Sequence, residues 1–175
     1  IVPVHFAGHP CDMDKISGIA KKHNLLVIED ACHALGASYK DQKIGGIGDM
    51  SVFSFHPVKS ITTGEGGAIL TNNPEFYKKL AHLRTHGITK DNSGFNVMTA
   101  LGYNYRITDI QTALGISQMK KLDKFIKARQ KVFDAYKKEL ANIKEVATPL
   151  IADGTVSANH IFVIRTKDPA KRDTL

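Results

Sequence analysis

Two periodicities of apolar residues organise this chain. Ile1-Val-Pro-Val-His-Phe6 and Leu25-Leu-Val-Ile28 are short, β-rich apolar runs. Between them Asp12 stands where a helix cap is needed, ahead of Met13, Ile16, Ile19 and Ala20 at helical spacing. Strand, helix and strand in that order predict a βαβ unit with parallel strands, and continuous apolar runs suit a sheet covered on both faces. Ala31 to Leu35 should open a helical turn, and Gly45-Gly-Ile-Gly48 is a turn cluster without the helix that a phosphate loop requires. In Ser51–Leu70 an apolar strand (Val52, Phe53, Phe55) stops at Pro57 and a second apolar run begins at Ala68. Between them lie Lys59, two threonines and Gly64-Glu-Gly-Gly67. Pro74 to Arg84 reads as a helix through Phe76, Tyr77, Leu80 and Leu83, and glycine-rich His86 to Gly102 as a loop. Thr108 then starts a helical pattern that runs to about Leu140, roughly 30 residues or about 45 Å at 1.5 Å per residue, with Gly115 as the expected bend. Ala147 to Ala158 is loop-like, and His160 to Arg165 is the first strand of a second unit.

Composition narrows the class without naming a function. The 175 residues are 42% apolar and 23% charged, ordinary for a globular domain with a real core. No apolar run approaches the eighteen or so residues of a membrane span, and the start lacks the pattern of a signal peptide. Cys11 and Cys32 match no zinc or redox spacing, so a cytoplasmic chain with free thiols is expected. The net charge of +7 raises a nucleic-acid or anion partner. However, nine Lys/Arg against four Asp/Glu between Met119 and Glu145 leave +5 on one predicted helix. Its apolar residues recur at three and four, so those lysines are its solvated side, and neither a nucleic-acid nor a membrane partner is expected.

Chemistry gathers at strand ends. Lys59 is either a surface lysine on a hairpin-like loop or an amine placed to form a Schiff base with a carbonyl compound. Asp30 ends a strand on the edge where open α/β sheets bind ligands; it caps the next turn or pairs with a protonated ring nitrogen. Ser54 bonds backbone or donates to a phosphate. Glu29, Asp30, His33 and His56 could gather a metal ion, but no ligand spacing supports this and none is assigned.

Four stretches together carry a resemblance: Glu29-Asp-Ala-Cys-His-Ala-Leu-Gly36, Ser54-Phe-His-Pro-Val-Lys59, Thr62-Thr-Gly-Glu-Gly-Gly67 and Leu101-Gly-Tyr-Asn-Tyr-Arg-Ile-Thr-Asp-Ile-Gln-Thr-Ala-Leu-Gly115. From Val2 to about Arg165 the chain resembles the DegT/DnrJ/EryC1/StrS sugar-nucleotide aminotransferases, which use pyridoxal 5′-phosphate on an aspartate-aminotransferase (type I) fold. The resemblance implies an α/β class: part of a large cofactor-binding domain with a mostly parallel sheet over 1–107, a long linking helix over 108–141, and the start of a small domain over 142–175. It implies Lys59 as the catalytic Schiff-base lysine and proton shuttle, and Asp30 holding the pyridine nitrogen protonated. His33 would lie against the ring or its 3-oxygen side. Ser54 would bond the cofactor phosphate, and Asn104 the phosphate of a neighbouring subunit's cofactor, so that a homodimer shares its sites. The implied reaction aminates a nucleotide-linked 4-keto-6-deoxy sugar, with UDP as carrier and glutamate as amino donor. Some members carry histidine in place of this lysine and are dehydratases; the lysine here favours amino transfer. A dehydratase, an epimerase or a non-catalytic anion-binding piece is the competing reading. His56, Thr62, Thr63 and His86 receive no role, and His160 is a core, interface or substrate-contacting histidine. Family members are roughly twice this length, so the expectation is a piece without the turn that grips most of the cofactor phosphate and without much of the sugar pocket.

Overall fold

A computed structural model describes residues 1–174, apart from the side chains of 171, 173 and 174. Asp12 caps helix α1 (Met13–Lys22) by accepting Lys15 N–H, as its position predicted. Met13 and Ala20 of α1 bury against Val27. Strand β1 (Ile28–Asp30) comes next, starting three residues later than the apolar run suggested. The shift has a local cause: Val27 N–H is taken by Asp49 Oδ2 at 2.8 Å, and Val27 O by Asp49 N–H at 2.9 Å. The N-terminal segment runs alongside β1 through Ile28 N–H to Ile1 O, Asp30 N–H to Pro3 O and His5 N–H to Asp30 O, with one parallel bridge, Val4 to Asp30. It is extended there but turns into a short 3₁₀ segment at Phe6–Gly8 instead of continuing as a strand.

Residues 31–37 form successive tight turns, not a helix, leading to β2 (Ser38–Tyr39) and β3 (Gln42–Lys43). Strand β4 (Met50–Ser54) lies parallel to β1, and β5 (Gly67–Leu70) antiparallel to β4 with Ser54 opposite Gly67. With the N-terminal segment the sheet has two parallel pairings and one antiparallel. Phe53 and Ile44 close a core with Ala31, Ala34, Ala37 and Ala158. Leu25, Leu26, Ile69 and Leu70 stay about half exposed, so the described residues do not cover both faces of the sheet.

Helix α2 (Pro74–Arg84) begins where Asn73 accepts Glu75 and Phe76 N–H. The loop expected over 86–102 contains a hairpin, β6 (Ile88–Lys90) and β7 (Asn96–Met98). Asp91 closes it by accepting Ser93 and Phe95 N–H, and Gly94 takes the positive φ of 83°. The expected long helix is two helices, α3 (Asp109–Met119) and α4 (Leu122–Leu140). The break falls at Lys120-Lys121, not Gly115, and it lets Leu122 and Ile126 of α4 pack onto the bare backbone of Gly36. Strand β8 (Val146–Ala147) pairs with β10 (Arg165–Thr166), and β9 (Thr155–Val156) adds to β2. His160–Arg165 is therefore not one strand. Asn159 has a φ of 47°, and Ala158 and His160 N–H bond Gly8 O and Ala7 O, drawing 157–160 inward.

Candidate active site

The site is built on an anchor that sequence reading missed. Glu29 is fully buried beside Asp30 and accepts four donors: His5 Nε2 at 3.0 Å, Ile47 N–H at 3.2 Å, Gly48 N–H at 2.7 Å and Ser51 Oγ at 2.7 Å. Burial would raise its pKa, but hydrogen bonds from His5, Gly48 and Ser51 outweigh that and hold it at about 2. Burial likewise disfavours charge on His5, yet the Cys11 side chain and Glu29 raise its pKa to about 9. Cys11 N–H, aimed at His5 Nδ1 at 3.0 Å, opposes this, because a doubly protonated ring has no acceptor there. Ile47 and Gly48, in the glycine-rich turn at 45–48, thus cradle a carboxylate. A Cβ on Gly48 would lie 2.9 Å from Val27 O and 3.1 Å from Glu29 Cγ.

With Glu29 turned inward, strand alternation turns Asp30 to the other side of β1, at its carboxyl end. Asp30 Oδ1 accepts Cys32 N–H at 3.1 Å. Burial and Asp30 push the Cys32 thiol up to about 11, so it stays neutral, a small soft filler. His33 is half-buried, and its Nδ1 accepts Ala7 N–H at 3.3 Å, which puts the ring proton on Nε2. The His160 ring lies 4.5 Å from it, centroid to centroid. Burial and the Lys59 ammonium lower the His33 pKa against the pull of Asp30, and burial, His33, Lys59 and Arg129 lower that of His160 to about 4. Both rings are neutral at pH 7. Asn159 and His160 are 6% and 7% exposed, with Asn159 Oδ1 and His160 Nδ1 unpartnered among the described residues.

Lys59 is half-buried on the turn after β4, its N–H bonded to His56 O. Ser54 ends β4 and accepts His56 N–H at 3.3 Å. A cavity of about 590 Å³ opens between this turn, α4 and residues 159–162, lined among others by Lys59, Arg129, Phe133 and His160. The structure therefore brings both Asp30 and Lys59 within electrostatic reach of His33 and Cys32. Ser54 stands at the end of the strand leading to Lys59. Asn104 is exposed on a separate segment bridged to Thr85, and no described contact ties it to the other four. Glu29 and His5 are used up by the fold, and no group of three His, Cys, Asp or Glu among the described residues could hold a metal.

A carboxylate, a neutral imidazole donor and a partly desolvated lysine at one sheet edge suit a ligand that has both a basic ring nitrogen and a carbonyl. Pyridoxal phosphate has both, and the chemistry of these residues fits it. The chain belongs to the DegT/DnrJ/EryC1/StrS aminotransferase family, whose profile matches residues 1–175. It is 47% identical over 161 residues to a UDP-4-amino-4,6-dideoxy-N-acetyl-beta-L-altrosamine transaminase of Campylobacter jejuni, covering 92% of this chain and 43% of that protein. Helicobacter pylori PseC, an aminotransferase involved in the biosynthesis of pseudoaminic acid, superposes with a TM-score of 0.92 at 34% identity, over 100% of this chain and 47% of that one. A putative sugar aminotransferase of Streptococcus pneumoniae, solved in its PLP form, gives 0.86 at 30% identity over 95% of this chain and 47% of that one. The chain spans less than half the length of these relatives. Pyridoxal phosphate is the cofactor of the family.

Proposed function

We propose that the protein carrying this chain is a pyridoxal-phosphate aminotransferase that converts the 4-keto group of a UDP-linked 6-deoxy sugar to the 4-amine, with glutamate as donor, in pseudaminic acid or related surface-glycan synthesis. The observation that carries the reading is the joint placement of Lys59, Asp30 and His33 at one sheet edge. When bound, pyridoxal phosphate supplies a carbonyl that amines attack and a ring that withdraws electrons from the adjacent carbon. Asp30 holds the proton on the ring nitrogen. His33, its proton on Nε2, donates a hydrogen bond toward an anionic oxygen. Ser54 Oγ is a donor for phosphate, and Lys59 Nζ, once free, moves a proton to and from the reacting carbon.

The homodimer reading has its own support. Phe95, Met98, Leu101, Tyr105 and Ile110 are each about two-thirds exposed or more, an apolar surface of the kind that contacts protein, and Asn104 lies among them. In the full-length protein, Lys59→Ala and Lys59→Arg should abolish the lysine-linked near-visible absorbance and amino transfer together. Persistence of that chromophore in either variant would sink the assignment. Product mass after incubation with a keto-sugar nucleotide separates amination, which replaces the carbonyl oxygen with an amine, from dehydration or epimerisation. Mixing inactive Lys59→Ala and Asn104→Ala subunits should restore activity if sites are shared across a dimer.

A further inference from the structure

The loop that carries Lys59 is closed at its neck by one residue. Phe55 O accepts Thr63 N–H at 3.0 Å and Thr62 Oγ1 at 3.1 Å, and Phe55 N–H donates to Gly66 O at 2.8 Å. The returning arm is held from outside by α3. Gln111 Nε2 donates to Glu65 O at 2.9 Å, the same carbonyl that Thr63 Oγ1 reaches at 2.7 Å. Gln111 Oε1 meanwhile accepts both the N–H and the hydroxyl of Thr108 at 3.0 Å, the reciprocal half of a capping box. The fit is close: a Cβ on Gly115 of α3 would lie 2.9 Å from Thr63 Cγ2, and one on Gly66 2.5 Å from Thr63 Oγ1.

We propose that Gln111 is a positioning residue for Lys59, one side chain that caps α3 with its oxygen and clamps the lysine loop with its nitrogen. The proposal rests on the assignment of Lys59 as the Schiff-base lysine. Where the Lys59 backbone is held sets the distance of its amine from Asp30 and His33, and those distances set the electrostatics that a lysine-linked chromophore would feel. The clamp fixes the arm through which the loop returns to β5.

Two substitutions separate the clamp from the cap. Glutamate serves a capping box as glutamine does, so Gln111→Glu keeps the bond to Thr108 but turns an acceptor toward Glu65 O. Gln111→Leu removes both bonds and adds no charge. In the full-length protein without cofactor, amide hydrogen exchange at Thr63 and Gly64 should quicken about fivefold in both variants, the effect of one modest hydrogen bond. Exchange in the first turn of α3 should quicken only in Gln111→Leu. With pyridoxal phosphate added, the pH midpoint of the lysine-linked absorbance should move in both variants, and kcat should fall while KM for the nucleotide sugar holds. Unchanged exchange at Thr63 and Gly64 overturns the proposal. So does faster exchange with an unmoved midpoint, or a midpoint that moves in Gln111→Glu alone, which is the new charge at work. If the unsubstituted protein shows no lysine-linked absorbance, the reading of Lys59 falls and this role falls with it; cofactor-free exchange tells that case apart.

Discussion

The buried carboxylate Glu29 is the sharpest point at which the fold can be tested. Glu29→Gln keeps shape and volume and removes one charge. A glutamine oxygen can still accept from Gly48 and Ser51, but its amide then faces His5 Nε2–H, while His5 Nδ1 stays committed to Cys11 N–H. Donor meets donor in a fully buried site. Breaking a buried pair costs about 3–5 kcal/mol, and the retained acceptor places this change near the lower bound, about 3 kcal/mol. With a urea m-value of about 2 kcal/mol/M, the unfolding midpoint followed by circular dichroism should fall by about 1.5 M. The pH dependence comes from the two shifts. Glu29, lowered from 4.5 to about 2, contributes stability that is whole above 4.5 and lost as pH falls toward 2. His5, raised from 6.5 to about 9, contributes stability that is whole below 6.5 and lost as pH rises through 9, a limb that Cys11 N–H makes shallower. The gap between wild type and variant should therefore be widest between pH 4.5 and 6.5. A midpoint within about 0.3 M of wild type at pH 6, or a gap independent of pH, would refute the reasoning, since either leaves the carboxylate without its partners.

Three other outcomes rest on particular contacts. Gly48→Ala should cost about 1–3 kcal/mol in the same urea measurement, because its Cβ meets Val27 O at 2.9 Å and the buried Glu29 Cγ at 3.1 Å. Gly102→Ala should destabilise the hairpin base selectively, read as faster amide exchange at His86 and Gly87, because its Cβ would lie 2.2 Å from Gly87 N. His160, lowered from 6.5 to about 4, contributes stability that is whole above 6.5 and lost as pH falls through 6.5 toward 4. His160→Phe should flatten the drop in urea midpoint between pH 7 and 5, and an equally steep drop would count against a neutral buried ring.

What could be read from the sequence depended on whether a residue's partner was local. Asp12 was legible as a cap because its acceptor serves an amide three residues away. The parallel pairing at the N-terminus was legible from strand, helix and strand in succession. The hairpin at 88–98 was missed because glycine content outweighed Asp91, whose carboxylate closes the turn. The break at Lys120-Lys121 had no local signal, since it answers to Gly36, more than eighty residues earlier, which α4 must approach. Glu29 was read as a possible metal ligand because nothing near it in sequence reveals His5, Gly48 and Ser51 as its partners. The candidate site was legible as a set of residue types, through resemblance, while the supports beneath it were not.

Those supports share a pattern that explains why the site residues sit where they do. Each chemically useful side chain is next in the chain to a group the fold cannot move. Asp30 follows Glu29, which four donors hold in place. Ser54 lies between Phe53, buried in the core, and Phe55, which closes the neck of the Lys59 loop. His33 stands in a turn between Ala31 and Ala34, both fully buried, and is bonded from Ala7, whose carbonyl also fixes His160. Ala7 has a φ of 58°, a left-handed conformation that a non-glycine residue keeps only when its surroundings over-determine it. Both its N–H and its carbonyl are bound there, one to each histidine segment. The strain therefore serves to hold two rings against each other, centroids 4.5 Å apart and planes tilted by 37°, and releasing Ala7 would loosen His33 and His160 together.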